Sequence, residues 1–218
     1  RTPNPCIYCN QFLKFGALLD YAKGLGADYI STGHYARVEE AKGRYLLRKG
    51  RDASKDQSYV LFVLTQEQLK HIVFPLEGLE KGRVREIAKE FGMNVHDKKD
   101  SVEICFVPDD YRNVIKQRAP EKVTPGHFVN ANGESMGEHP GFQFFTIGQR
   151  RGLGKAFGQP MYVKDIHPRT AEVVLAVDEE LYESVLEASK MNWIADPASL
   201  QNNMNCLLYT SDAADEST

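Results

Sequence analysis

Three cysteines carry the most reactive chemistry that this amino-acid sequence offers. Cys6 and Cys9 form a Cys-x-x-Cys pair ahead of an apolar-periodic stretch, and Cys105 lies in Asp100-Ser101-Val102-Glu103-Ile104-Cys105-Phe106. Two thiols at this spacing can share a metal ion, exchange as a disulfide, or set one thiolate at a helix N-terminus, where the dipole lowers a thiol pKa. They can equally be small buried hydrophobes, and the Ile and Phe flanking Cys105 would suit an ordinary core strand. A tetrahedral zinc site needs four ligands. Cys105 with His34 or His96 could complete one, but no second Cys-x-x-Cys and no paired-His motif is present. The fourth cysteine, Cys206, lies in a stretch of different character at the end of the chain. The remaining three make a poor disulfide scaffold. With no leader sequence visible, a cytoplasmic location is expected, where cysteines are more often catalytic or metal-binding than bridging.

These thiols must be positioned by the surrounding elements. From Asn10 to Leu25 the apolar residues Phe12, Leu13, Phe15, Leu18, Leu19, Ala22 and Leu25 recur at three- and four-residue spacing. That spacing predicts an amphipathic helix, stopped by Gly24 and Gly26. Residues 27–32 read as a short buried strand ending at Gly33-His34, so helix and strand make one step of a parallel α/β sheet. Ligands in such sheets lie beyond the carboxyl ends of the strands, where Gly33 falls. Further on, residues 44–48 read as a strand, and residues 58–72 and 83–91 as helices, with Gly92 capping the second. A short helix over 109–118 ends at Ala119-Pro120. Beyond it, alternating runs at 127–129, 142–147, 161–166 and 171–177 predict a small antiparallel β-rich domain. Phe142, Phe144 and Phe145 read as alternating core there. A ligand-facing strand end, a cysteine opening a helix and a second cysteine after a polar loop together suggest a two-cysteine site beside a nucleotide.

Composition excludes several classes. The 218 residues carry 27 Lys and Arg against 30 Asp and Glu, a net charge of −3, with 42% hydrophobic residues. These are globular values, and no run of about 18 apolar residues is present to span a membrane. A strongly basic nucleic-acid binder is excluded as a description of the whole chain. Locally the balance differs: residues 42–55 sum to +5, and residues 139–164 contain Arg150, Arg151, Lys155 and Lys164 with no acid. Basic loops of this kind can neutralise nucleic-acid phosphates, or simply be a solvated face.

Five separated motifs carry a family resemblance. They are residues 2–10 (TPNPCIYCN), 27–35 (ADYISTGHY), 55–59 (KDQSY), 100–106 (DSVEICF) and 145–154 (FTIGQRRGLG). In this order they resemble the tRNA-specific 2-thiouridylase family, over residues 1 to about 194. The resemblance implies an α/β fold: the C-terminal part of a parallel-sheet PP-loop nucleotide-binding domain (residues 1–119), then a small antiparallel β-rich central domain (120–190). Residues 191–204 would begin a C-terminal β-barrel, and 205–218 read as a non-native tail. It also implies an enzyme that uses ATP to adenylate a wobble uridine of tRNA and a cysteine persulfide to deliver sulfur to C2. By motif position Cys105 resembles the persulfide carrier and Cys9 the nucleophile, with a Cys9–Cys105 disulfide left behind. Gly33 aligns with a backbone contact to ATP. Asn4, Pro5 and Cys6 align with contacts to the target base, and Lys55, Asp56 and Gln57 with a further tRNA contact. Arg150 and Arg151 are added as tRNA contacts on their charge. The implied partners are tRNA and a persulfide-donating sulfur-relay protein, with a monomeric chain and no bound metal. Two features depart from the pattern. Cys6 stands where some members carry an Asp proposed as an acid/base group, and the family's Ser-Gly-Gly-x-Asp-Ser phosphate loop is not in this sequence, as expected of an internal fragment inactive by itself.

Overall fold

The computed structural model describes residues 4–98, 105, 107, 110–182, 184, 185, 187 and 191–195. They fall into two compact units, one built on Asn4–Ser101 with residues after 188, the other on Val102–Glu187.

The first unit opens with a continuous helical run: α1 (Pro5–Tyr8), a π-helical stretch (Cys9–Ala17) and α2 (Leu18–Gly24). The wide stretch has a local cause. A π-turn closes a hydrogen bond from residue i to i−5, as Leu18 N–H does to the Leu13 carbonyl. At Gly16 a Cβ would stand 2.9 Å from the Gln11 carbonyl oxygen, five residues back. The run ends as the glycines predicted. Gly26 takes φ +83°, its N–H bonds the Lys23 carbonyl and the Ala27 N–H the Ala22 carbonyl, a Schellman stop.

The expected strand over 27–32 shortens to β1 (Ile30–Ser31), which pairs in parallel with β4 (Ile72–Val73). Between them lies a hairpin, β2 (Ala36–Ala41) and β3 (Arg44–Lys49), turned through Lys42 and Gly43, both at positive φ. The helix expected over 58–72 is not one element. It divides into a 3-10 turn (Ser58–Val60), α3 (Gln66–Lys70) and β4. Thr65 restarts the helix with a capping box to Gln68, a stronger local signal than the apolar spacing across it. Val60, Leu61, Leu64, Leu69 and Ile72 are nonetheless buried, around Phe15, Ala36 and Phe74. α4 (Lys81–Glu90) ends at Gly92, φ +66°, in a second Schellman stop.

The second unit is a four-stranded sheet in the order β6-β5-β8-β7, with β5 Gly126–Val129, β6 Ser135–His139, β7 Tyr162–His167 and β8 Glu172–Ala176. Two pairings are antiparallel and β5·β8 is parallel. The run at 142–147 is a 3-10 turn (Phe142–Phe144) rather than a strand, yet Phe144 and Phe145 are core as expected, packed with Phe128, Val163, Val173 and Leu175.

Two boundaries differ from the sequence reading. α5 (Tyr111–Arg118) belongs to the second unit, not to a first domain ending at 119, because Ile115 packs on its core and the Tyr111 hydroxyl donates to the Phe144 carbonyl at 3.0 Å. Residues 192–194, expected to begin a third unit, lie against the first. The Asn192 amide donates to the Phe62 and Leu64 carbonyls, and Ile194 packs on the core. Residues 205–218 lie outside the described residues. No described helix is long and apolar enough to cross a membrane.

Candidate functional site

Eight of the eleven residues singled out above lie in the first unit, where three hydrogen-bonded seams draw them together. At the first, the Asn4 side chain caps α1 by accepting from the Cys6 N–H at 3.0 Å, and Pro5 fills the first helical position. Both are the residue types that this geometry favours. The helix therefore starts one turn earlier than expected. Cys6 stands in its first turn, while the Cys9 N–H is already bonded back to the Pro5 and Cys6 carbonyls. Cys9 therefore does not open the helix, contrary to the sequence reading. Cys6 and Cys9 are partly buried and unbridged, and Cys6 packs against the apolar core.

The second seam joins this helix to the Lys55–Tyr59 loop. Asn10 is 1% exposed, and its amide nitrogen donates to the Val60 carbonyl at 3.1 Å. Its amide oxygen is buried without a partner. The Asp56 carboxylate accepts from the Ser58 N–H and hydroxyl, at 3.3 and 2.8 Å, and so shapes the 3-10 turn. Tyr59 lies in this 3-10 turn, partly exposed. Burial raises its phenol pKa, and the negative forms of Cys6 and Asp56 raise it further.

The third seam ties the same loop to the strand end. The Gln57 side chain accepts from the Tyr35 N–H at 3.1 Å, and the Gln57 N–H donates to the Tyr35 carbonyl at 3.0 Å. Gly33 follows β1 with its backbone exposed, and a Cβ there would meet only Leu76 at 3.8 Å. The neighbouring His34 is buried, 5.9 Å from Phe15 and 5.8 Å from Phe74 between ring centroids. Desolvation lowers its pKa from 6.5 to about 4, helped by the Lys14 charge. The ring is therefore neutral near pH 7, and its contacts fix the tautomer. Lys14 Nζ, 3.5 Å away, can only donate to Nε2, which leaves Nδ1–H to donate to Thr32 Oγ1 at 2.7 Å. Asn10, Lys14 and Tyr59 were not singled out as site residues, and His34 was named only as a candidate zinc ligand. Three of the four sit within quoted motifs, but nothing in their spacing told of the burial of Asn10 and His34.

Cys105, Arg150 and Arg151 belong to the second unit. Cys105 is exposed at a turn and unbridged; its motif neighbours from 100 to 104 lie outside the described residues. The Arg150 guanidinium sits 5.9 Å over the Tyr162 ring. Among the described residues no three His, Cys, Asp or Glu side chains converge on a point that could hold a metal.

Comparison with known proteins matches residues 1–109 to a domain model described as "tRNA methyl transferase HUP domain", and residues 112–177 to one described as "tRNA methyl transferase PRC-barrel domain". The junction between the two matches agrees with α5 belonging to the second unit. A curated relative from Clostridium perfringens, named tRNA-specific 2-thiouridylase MnmA, is 51% identical over 196 residues, covering 89% of this chain and 55% of that protein. A protein of the same name from Clostridium acetobutylicum (50% over 195 residues) and tRNA-specific 2-thiouridylase MnmA 1 from Clostridium botulinum strain Loch Maree (52% over 195) match with the same shares. The chain thus spans about half the length of the curated relatives it matches.

Proposed function

The chain belongs to the tRNA-specific 2-thiouridylase family, and we propose from this that it is part of an enzyme that replaces the C2 oxygen of a tRNA uridine with sulfur. The domain models carry a methyl-transferase description, whereas the relatives at about 50% identity are named thiouridylases. The relatives weigh more, since their identity runs through 195 or 196 residues and across both units. That extent of identity is the observation that carries the proposal.

ATP would supply the adenylyl group that turns the C2 oxygen into a leaving group, with the Gly33 backbone as this chain's candidate contact. The open backbone beyond β1 fits such a role. Asn4, Pro5 and Cys6 face the target base, Lys55, Asp56 and Gln57 the adjoining RNA, and Arg150 and Arg151 its phosphates. The seams through Asn10 and Gln57 hold the first two groups and Gly33 in one framework. Cys105 receives a sulfane sulfur from a persulfide-donating protein. The Cys9 thiolate attacks the Cys105 Sγ, forming the Cys9–Cys105 disulfide and expelling hydrosulfide, which displaces AMP from C2. Two thiol-level sulfurs are oxidised, the sulfane sulfur is reduced to sulfide, and an external dithiol must reset the pair. With Cys6 in place of a carboxylate and packed on the core, no proton transfer is assigned to that position. We place the protein in the cytoplasm as a monomer.

The test is to load the purified chain with a persulfide donor, block with an alkylating reagent and map the peptides by mass spectrometry. The extra sulfur should reside on Cys105, and Cys105→Ser should abolish loading. Extra sulfur on Cys6 and Cys9 alone, or a Cys6–Cys9 disulfide as the main oxidised product, would sink the assignment in favour of a dithiol oxidoreductase.

A further inference from the structure

The second unit contains a cleft of about 450 Å³ behind Arg150 and Arg151, whose apolar floor the roles above leave without an occupant. Its floor is apolar: Leu153 and Met161 are buried, and Phe157 is partly so. Phe157 is held rather than loose, at 87° to Phe128 with 5.6 Å between centroids. Every charged residue lining the cleft is cationic, namely Arg150, Arg151 and Lys155. Two of these are anchored. Arg150 lies over the Tyr162 ring, and the Lys155 ammonium donates to the Met136 carbonyl at 2.9 Å. That ammonium lies against Gly137, φ +123°, where a Cβ would overlap the nitrogen and displace it.

An aromatic ring and a thioether floor under a rim of positive charge fit one ligand chemistry: a planar base joined to a phosphate. Phosphate contacts alone would need no apolar floor, and an apolar peptide segment would gain nothing from three cations. We propose that this cleft seats one unstacked nucleotide of the RNA strand, with its base against Phe157 and Met161 and its phosphate at Arg150, Arg151 and Lys155. The inference rests on the reading of the protein as an RNA-modifying enzyme and gives it a second point of attachment in the β domain. Seating a base by stacking is tolerant of its identity, so the cleft would hold the RNA in register without selecting sequence.

The experiment uses the full chain and a fluorescent tRNA anticodon stem-loop whose loop uridines are replaced by 5-bromouridine. Irradiation should crosslink the RNA to the peptide containing residues 152–161. Phe157→Leu, which keeps an apolar side chain against Phe128, should weaken binding at least about fivefold, the lower end of the range for removing one base stack. The salt dependence should not change. Arg150→Ala with Arg151→Ala should instead flatten the plot of log affinity against log salt, by about 0.7 for each single-strand phosphate no longer neutralised. Unchanged affinity in a folded Phe157→Leu variant, or crosslinks only outside residues 152–161, overturns the nucleotide seat while leaving RNA binding intact. If the unaltered chain binds no RNA at all, the seat and the RNA reading fall together.

Discussion

His34 gives the most direct check on the electrostatics of the first unit. Its imidazole is buried between Phe15 and Phe74, accepts from Lys14 and donates to Thr32. Its pKa falls from 6.5 to about 4, by desolvation first and by Lys14 second. At about 1.4 kcal/mol per pKa unit, that depression corresponds to about 3 kcal/mol of folding stability. The direction follows from proton counting. Between pH 4 and 6.5 the unfolded chain binds a proton at this residue that the folded chain refuses, so stability rises with pH through that window. The contribution is complete above about pH 6.5 and lost as pH falls to 4. Carboxylates titrate in the same range, so the measurement must be a difference. Urea unfolding of the native chain and of His34→Gln, at steps from pH 4 to 7.5, provides it, because Gln can still bond Thr32 and Lys14 but cannot titrate. The gap between the two should be constant above pH 6.5 and shift by about 3 kcal/mol toward the variant by pH 4. The ring's NMR titration should have its midpoint near 4. A pH-independent gap, or a midpoint near 6.5, would refute the burial argument.

Two further substitutions probe the framework. Gly16→Ala, which in an ordinary helix would stabilise by up to about 1 kcal/mol, should here destabilise by about 1–3 kcal/mol, because the new methyl would press on the Gln11 carbonyl; an increase in melting temperature would rule out the π-helical geometry. Thr65→Ala removes the capping box at the start of α3 and should lower stability by about 1 kcal/mol in denaturant titration; no change would mean that packing of Leu69, not the cap, sets the break between the 3-10 turn and α3.

Legibility in the sequence followed the range of the interactions. Stops set by one residue's backbone were readable: Gly26 and Gly92 both end helices where expected, each at positive φ. Elements set by distant partners were not. β2 has charged residues at three of its six positions and little alternation to announce it, and forms because β3 pairs with it through a Lys42-Gly43 turn. Residues 58–72 kept helical spacing because their apolar side chains enter one core, although the chain crosses it in three pieces. The site shows the same division. The motif resemblance proposed Asn4, Pro5, Cys6, Gly33 and Gln57 as contacts, but the buried Asn10 that locks helix to loop, and the neutral His34, depend on what surrounds them.

Counting charge along the chain ranked the two basic runs almost equally, and folding separates them. In the run at 42–55, Arg48 lies 3.3 Å from Glu39, Arg51 is 3.7 Å from Glu80, and Arg44 donates to the carbonyls of Trp193 and Ile194. The adjacent cleft, lined by Arg51, Lys55, Lys81 and Arg85, also includes Asp52 and Glu80. Asp52 accepts from Ser54 and from the Lys81 N–H at the start of α4, the contacts that hold its carboxyl pKa down. A carboxylate already stands where a phosphate would dock. In the run at 139–164 no acid occurs, and the cleft it lines is cationic throughout, over an apolar floor. Exposed ion pairs are individually weak, so the first run keeps a net positive charge, but its local field is divided. The second keeps its charge undivided at one concave place. Divided and undivided positive charge thus fall to different parts of the chain, a division that a count of residues could not show.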